Sequence, residues 1–315
     1  FDPDKIMLHT EDRALIMQNS KNTSQLYKMD LEKGKVIEEY SVGEDIPVVE
    51  FNPTSKFGQM TNEQTFLGIS KNGLFKIDPR LSSKNKLVES EFKQYKTKTN
   101  FTAMTTTSFG NVAVASKTGE IRLYDRLGIN AKTQLPGLGE EIKGIETSSD
   151  GRWVLATCKT YLLLIDAKIK SGKYANSTGF MRSFSKDSKP IPRRLQISPQ
   201  HIAYMQQQTG NALDFTKAHF NTGIDAKETT IISSTGPYVV QWSLKKILRG
   251  DKDPYLIKKY VLNVMAENFK FGTDKNVILA MTDDVTMVNK KSFKKPTRET
   301  LVGQIGKNSI VKTIE

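Results

Sequence analysis

Six short stretches of the chain share one alternation of apolar and polar positions, closing on Asp or a close substitute. They are Gln25–Asp30, Leu74–Asp78, Ile121–Asp125, Tyr161–Asp166, Val239–Ser243 and Val285–Asn289. A period of two, rich in β-branched and aromatic side chains, predicts strands. The closing Asp, Ser or Asn accepts hydrogen bonds from nearby backbone and opens a turn. The closing residues stand at 30, 78, 125, 166, 243 and 289, so the successive differences are 48, 47, 41, 77 and 46 residues.

Each stretch has strand signals upstream. Val48–Phe51 and Phe66–Ser70 precede Asp78, Phe101–Thr106 and Val112–Ser116 precede Asp125, and Ile142–Thr147 and Trp153–Cys158 precede Asp166. A fourth polar–apolar stretch follows, as at Lys35–Val42 and Lys86–Phe92. Four short strands recurring every ~40–50 residues are the blades of a propeller. The expected fold is therefore all-β, a β-propeller. Seven blades is the preferred count, with Arg194–Ser198 and His201–Met205 as the first strands of a weakly marked blade inside the long interval. Six blades with an insertion is the alternative. Lys168–Pro192, rich in Lys, Gly and Ser, reads as a mobile surface loop, and Leu244–Leu248 as a turn of helix. The whole of 1–315 is expected to be a single propeller domain, the C-terminal part of a longer protein. Leu301–Ile305 or Ile310–Ile314, meeting Lys5–His9, are the candidates for closing the ring.

Gly119-Glu-Ile-Arg-Leu-Tyr-Asp125 resembles the closing strand of a WD40 repeat, and Ser149-Asp-Gly-Arg-Trp-Val-Leu-Ala156 its first turn. The Trp-Asp and Gly-His pairs of that repeat are absent, so its His-based structural tetrad does not carry over. A resemblance over nearly the whole chain rests on longer segments. These are His9-Thr-Glu-Asp-Arg-Ala-Leu-Ile-Met17, Gln25–Ile37, Ser234-Thr-Gly-Pro-Tyr-Val-Val240, Asp253-Pro-Tyr-Leu-Ile257 and Asp283–Lys291. They are similar to the C-terminal domain of the fungal vacuolar import and degradation protein 27 family. The resemblance implies a WD40-like fold, a cytoplasmic protein, a link to glucose-triggered delivery of gluconeogenic enzymes to the vacuole, and an N-terminal region resembling a pleckstrin-homology module. It supplies a process and no biochemical activity.

Composition narrows the chemistry. The longest apolar run, near Tyr161–Ile165, is far short of the ~18 residues of a membrane helix. One cysteine, Cys158, builds no disulfide framework and no thiolate zinc site. His9, His201 and His219 lack ligand spacing. No Gly-x-Ser-x-Gly elbow occurs, Gly137-Leu-Gly139 starts no phosphate loop, and Asp283-Asp284 reads as a turn. The expectation is a protein that is not an enzyme and takes no metal and no cofactor.

What stands out is charge. Lys and Arg exceed Asp and Glu by 47 to 34, a net charge of +13. A basic surface attracts anionic partners. Lys245, Lys246 and Arg249 follow one third strand; Lys290, Lys291, Lys294, Lys295 and Arg298 follow the next. Equivalent positions on successive blades gather on one face, so these eight residues form the candidate basic patch. Two functions follow. The first is a non-catalytic protein-interaction scaffold, monomeric, with an acidic or phosphorylated protein partner. The alternative is a module that binds anionic lipid or phosphate. Aromatic residues are not interleaved with the basic clusters as stacked single strands require, so nucleic acid is not expected as a partner.

Overall fold

The computed structural model describes residues 2–224 and 226–302. The chain divides into two compact units, Phe1–Arg194 and Leu195–Glu315. The first carries four sheets, each a meander of four antiparallel strands in chain order. Sheet one is β1 (Pro3–His9), β2 (Ala14–Asn19), β3 (Asn22–Asp30) and β4 (Lys35–Ser41). Sheet two is β5 (Glu50–Pro53), β6 (Phe66–Ile69), β7 (Gly73–Ile77) and β8 (Lys93–Gln94). Sheet three is β9 (Phe101–Thr106), β10 (Val112–Ser116), β11 (Ile121–Tyr124) and β12 (Thr133–Leu135). Sheet four is β13 (Gly144–Thr147), β14 (Trp153–Thr157), β15 (Leu162–Asp166) and β16 (Arg193–Leu195).

The second unit begins with helix α1 (Pro199–Thr209). Sheet five follows as β17 (His219–Phe220), β18 (Thr230–Thr235), β19 (Tyr238–Ser243) and β20 (Tyr255–Lys259), with the short helix α2 (Leu244–Arg249) between β19 and β20. Sheet six has three described strands, β21 (Val264–Phe269), β22 (Asn276–Met281) and β23 (Val285–Asn289), and helix α3 (Arg298–Val302) ends the described chain.

Every one of the six indexed stretches is the third strand of its sheet: β3, β7, β11, β15, β19 and β23. Their burial is uneven: β7, β11, β15 and β19 are buried at all positions but one, whereas β3 and β23 each bury a single residue, Leu26 and Val288. Aliphatic and aromatic layers fill the space between consecutive sheets of a unit. Tyr40, Phe51, Phe66 and Phe75 lie between sheets one and two. Ala113, Leu123, Ile145 and Val154 lie between sheets three and four. Val239, Phe269, Val277 and Leu279 lie between sheets five and six. Each fully buried Val, Leu, Ile or Phe side chain contributes roughly 1.5–3 kcal/mol.

Among the described residues the blades number six, the alternative reading, and not the preferred seven. The described residues of the 77-residue interval hold no extra sheet. Arg193–Leu195 is the fourth strand of sheet four, not the first strand of a new blade. His201–Met205, expected as a strand, is helical. Pro199 supplies the fixed φ favoured in a first turn, and Gly210 (φ +69°) supplies the left-handed residue that stops the helix. The loop 168–192 is more tightly held than its composition suggests. Lys168 bridges Thr178, and Ile169 and Phe180 are buried. Lys5–His9 lies in β1, paired with β2 in sheet one. Leu301 and Val302 end α3, and the rest of the two ring-closing candidates lies outside the described residues.

Candidate functional site

The two basic clusters sit on equivalent local structures. α2 follows β19, and a 3-10 turn (Lys290–Ser292) follows β23. Ser243 Oγ accepts from the Lys246 amide and Asn289 Oδ1 from the Lys291 amide, so each third strand ends in a side-chain cap carrying two lysines. The sequence equivalence therefore has a structural basis.

The eight residues differ in how their charge is used. Arg249 forks onto Asp251, with Nε 2.6 Å from Oδ1 and an Nη atom against Oδ2, and this contact holds the Asp251 carboxyl below its ordinary range. Lys290 Nζ lies 2.7 Å from Asp274 Oδ2 and donates to Thr230 Oγ1 at 3.2 Å; the lysine likewise holds Asp274 down. These two are neutralised within the fold. Lys245, Lys291, Lys294, Lys295 and Arg298 are exposed and Lys246 half-buried. Among the described residues, none of these six has a carboxylate within ion-pairing distance.

Lys294 is joined to sheet five through its backbone. Its backbone bridges Ile257 of β20, with N–H···O distances of 2.8 and 3.1 Å. There it lines an open groove of about 1100 Å³ with Lys258, Lys259, Tyr260, Val261 and the carboxylate Glu299. Lys245, Lys246 and Arg249 are not among the lining residues. Lys258 and Lys259 are visible in the sequence as a basic pair but stand outside the eight. Only the pairing of 294 with 257 shows that they and Lys294 share one site.

Lys258 Nζ donates to Ser292 Oγ at 3.1 Å and lies 5.2 Å from the Tyr260 ring centroid. Burial holds its ammonium below the usual lysine range. Burial also pushes the Tyr260 phenol up to about 12, and that hydroxyl has no partner among the described residues. Lys259 Nζ donates to Gln208 Oε1 at 3.3 Å and the Val302 carbonyl at 3.2 Å. The partners of both ammonium groups are thus neutral.

Other titratable groups serve the core. His9 is buried, its Nε2 3.0 Å from the Gln64 carbonyl, and burial lowers its pKa. Cys158 is buried and its thiol pushed up to about 11 by desolvation, which disfavours the nucleophilic thiolate. Among the described residues no group of three or more His, Cys, Asp or Glu is placed to hold a metal ion. Glu267 of β21 is a deeply placed carboxylate, 4% exposed. Its Oε1 accepts from Thr216 Oγ1 at 2.5 Å, Oε2 has no partner among the described residues, and desolvation raises its pKa. A raised carboxyl pKa means the folded state holds the proton longer than the unfolded chain. Stability from this group is full below the unfolded value and is lost as pH rises through the folded one. Glu267→Gln is expected to flatten that decline and raise the urea midpoint at pH 7. Parallel unfolding curves for the two proteins from pH 4 to 8 would contradict this.

The six meander sheets define a WD40-like β-propeller. The family described as the VID27 C-terminal WD40-like domain matches residues 1–307, and the chain belongs to that family. It is 53% identical over 305 residues to vacuolar import and degradation protein 27 of Schizosaccharomyces pombe, covering 97% of this chain and 38% of that one. It is 51% identical over 305 residues to the Saccharomyces cerevisiae protein of the same name, covering 96% of this chain and 39% of that one. The chain thus spans under two fifths of the length of these curated relatives. Among solved structures it resembles the Myceliophteria thermophila Cps50 (Swd1) β-propeller domain with a TM-score of 0.57 and 11% identity, over 90% of this chain and 81% of that one. At that identity the likeness shows the fold alone.

Proposed function

We propose that the chain is a non-catalytic, monomeric binding platform acting in the cytoplasm in vacuolar import and degradation, where gluconeogenic enzymes are the cargo. Its anionic protein partner is held by the basic surface of the second unit. The carrying observation is that Lys245, Lys246, Lys291, Lys294, Lys295 and Arg298 present positive charge with no carboxylate in ion-pairing distance among the described residues. Unneutralised surface charge costs little in water but steers an oppositely charged surface and fixes its orientation. The names of the curated relatives supply the process.

The test is to reverse Lys245, Lys291, Lys295 and Arg298 to glutamate in fungal cells. The protein should stay folded, and a fluorescently tagged gluconeogenic enzyme should no longer reach the vacuole after glucose addition. Captured partners should be lost together with delivery. Unchanged delivery would overturn the reading. Flotation of the purified chain with anionic vesicles, abolished by the same four changes while protein capture persists, would replace it with the lipid-binding alternative.

A further inference from the structure

The edge of β20 carries an arrangement that the basic surface alone does not explain. Its register with β19 pairs Tyr238 with Lys259 and Val240 with Ile257. The flanking bonds Ser243 N–H to Pro254 O and Tyr260 N–H to Pro237 O fix which residues point inward. By the two-residue period of an antiparallel ladder, Leu256 and Lys258 aim their backbone groups at β19, and Ile257 and Lys259 aim theirs outward. Ile257 spends both outward groups on Lys294. Lys259, next along the same edge, has no backbone partner among the described residues. The sheet edge is capped at one residue and open at the next.

Side chains flank this open stretch on both faces, because neighbours on a strand point opposite ways. Lys258 lies on the Tyr260 side, against Ser292. Lys259 lies on the α1 side, against Gln208. Lys294 closes the end at the Ile257 bridge, and Val261, fully exposed, stands at the other. Cationic stems on both sides of a free edge suit an extended chain with acid on successive residues, since alternate side chains meet Lys258 and Lys259 in turn. Lys258 is the informative member. A partly desolvated ammonium held only by a hydroxyl and a ring has given up hydration without gaining a counter-charge, and an incoming carboxylate would supply it. The chain's own residues 303–315 are a poor complement by charge, with Lys307 and Lys312 against Glu315.

We infer that this groove binds an extended acidic peptide segment of a partner protein, its backbone pairing with the open edge at Lys259 and its carboxylates resting on Lys258, Lys259 and Lys294. The inference rests on the platform reading above and names the partner's chemistry. Main-chain pairing supplies affinity and the flanking side chains specificity, as in other strand-addition sites.

The test is fluorescence anisotropy of the 315-residue chain with a labelled octapeptide of glutamate. Binding should weaken with salt. It should fall by roughly tenfold or more in Lys258→Glu/Lys294→Glu, about 1.4 kcal/mol or more. Lys258→Met keeps the apolar stem over Tyr260, so loss of binding with an unchanged thermal melt excludes misfolding as the cause. A glutamate octapeptide N-methylated at alternate residues should bind as weakly as the double variant. Lys98→Glu, which reverses an exposed cation of the first unit, should bind like the unaltered chain. Equal binding of the methylated peptide, indifference to Lys258 and Lys294, or an equal loss in Lys98→Glu would each overturn the inference. If the peptide fails to bind while reversal of the four patch residues still abolishes vacuolar delivery, the groove is refuted and the platform stands.

Discussion

Trp242→Ala is expected to lower the stability of the chain by about 3–5 kcal/mol, the range for deleting a large aromatic from a packed core. The indole of Trp242, on β19, is wholly buried. It meets the Phe215 ring edge-on at 5.7 Å and the Tyr255 ring, tilted, at 6.3 Å. β19 is an inner strand of sheet five, paired on both sides, so neither neighbour can collapse into the space without breaking a ladder. Domains of this kind have a total stability of only ~5–15 kcal/mol, so a large part of the second unit's stability rests on this ring. Trp242→Phe is expected to cost less than half as much. It keeps most of the apolar volume and removes the indole Nε1, which is buried with no partner among the described residues. Urea unfolding followed by far-ultraviolet circular dichroism measures both. A midpoint for Trp242→Ala equal to that of the unaltered protein would contradict the packing of this ring against Phe215 and Tyr255.

The same strand illustrates what is legible in the sequence. Val239–Ser243 reads as a strand because it is a short run rich in β-branched and aromatic residues, buried up to Trp242 and stopped at the Ser243 cap. The five other third strands close in the same way, so their spacing exposes the repeat. Outer strands leave fainter marks. β8 is two residues long and pairs only at Gly73 and Leu74, so it falls just beyond the Lys86–Phe92 stretch that alternates. α1 reads as strand because only Met205 of its eleven residues is buried, leaving no apolar stripe of helical period to compete with the run His201–Met205. At the site, Arg249–Asp251 is readable as a near neighbour in sequence. The Lys290–Asp274 pair and the groove are not, since each depends on how one strand lies beside another.

Gly137→Ala is the second change with a large expected effect, and its cause is a close approach of two backbones. Gly137 lies between β12 and β13, facing the turn that joins β10 to β11. A Cβ on Gly137 would stand 2.0 Å from the Thr118 carbonyl oxygen and 3.0 Å from the Gly119 carbonyl carbon. Gly119 returns the constraint, for its own Cβ would stand 2.6 Å from the Glu140 carbonyl oxygen. The obstacles are main chain, so no rotamer change relieves them. The β10–β11 turn would have to move, and with it the register Ala115↔Ile121. Roughly 3 kcal/mol of destabilisation follows, the upper end for overpacking. Gly139 separates this effect from backbone conformation. It has φ +97°, and a Cβ there would have nothing within 4 Å, so Gly139→Ala carries only the strain of a left-handed residue, about 1–2 kcal/mol. The Gly-Leu-Gly run, which starts no phosphate loop, is thus one glycine for contact and one for conformation. Thermal melts ranking Gly139→Ala as the more damaging of the two would reverse that assignment.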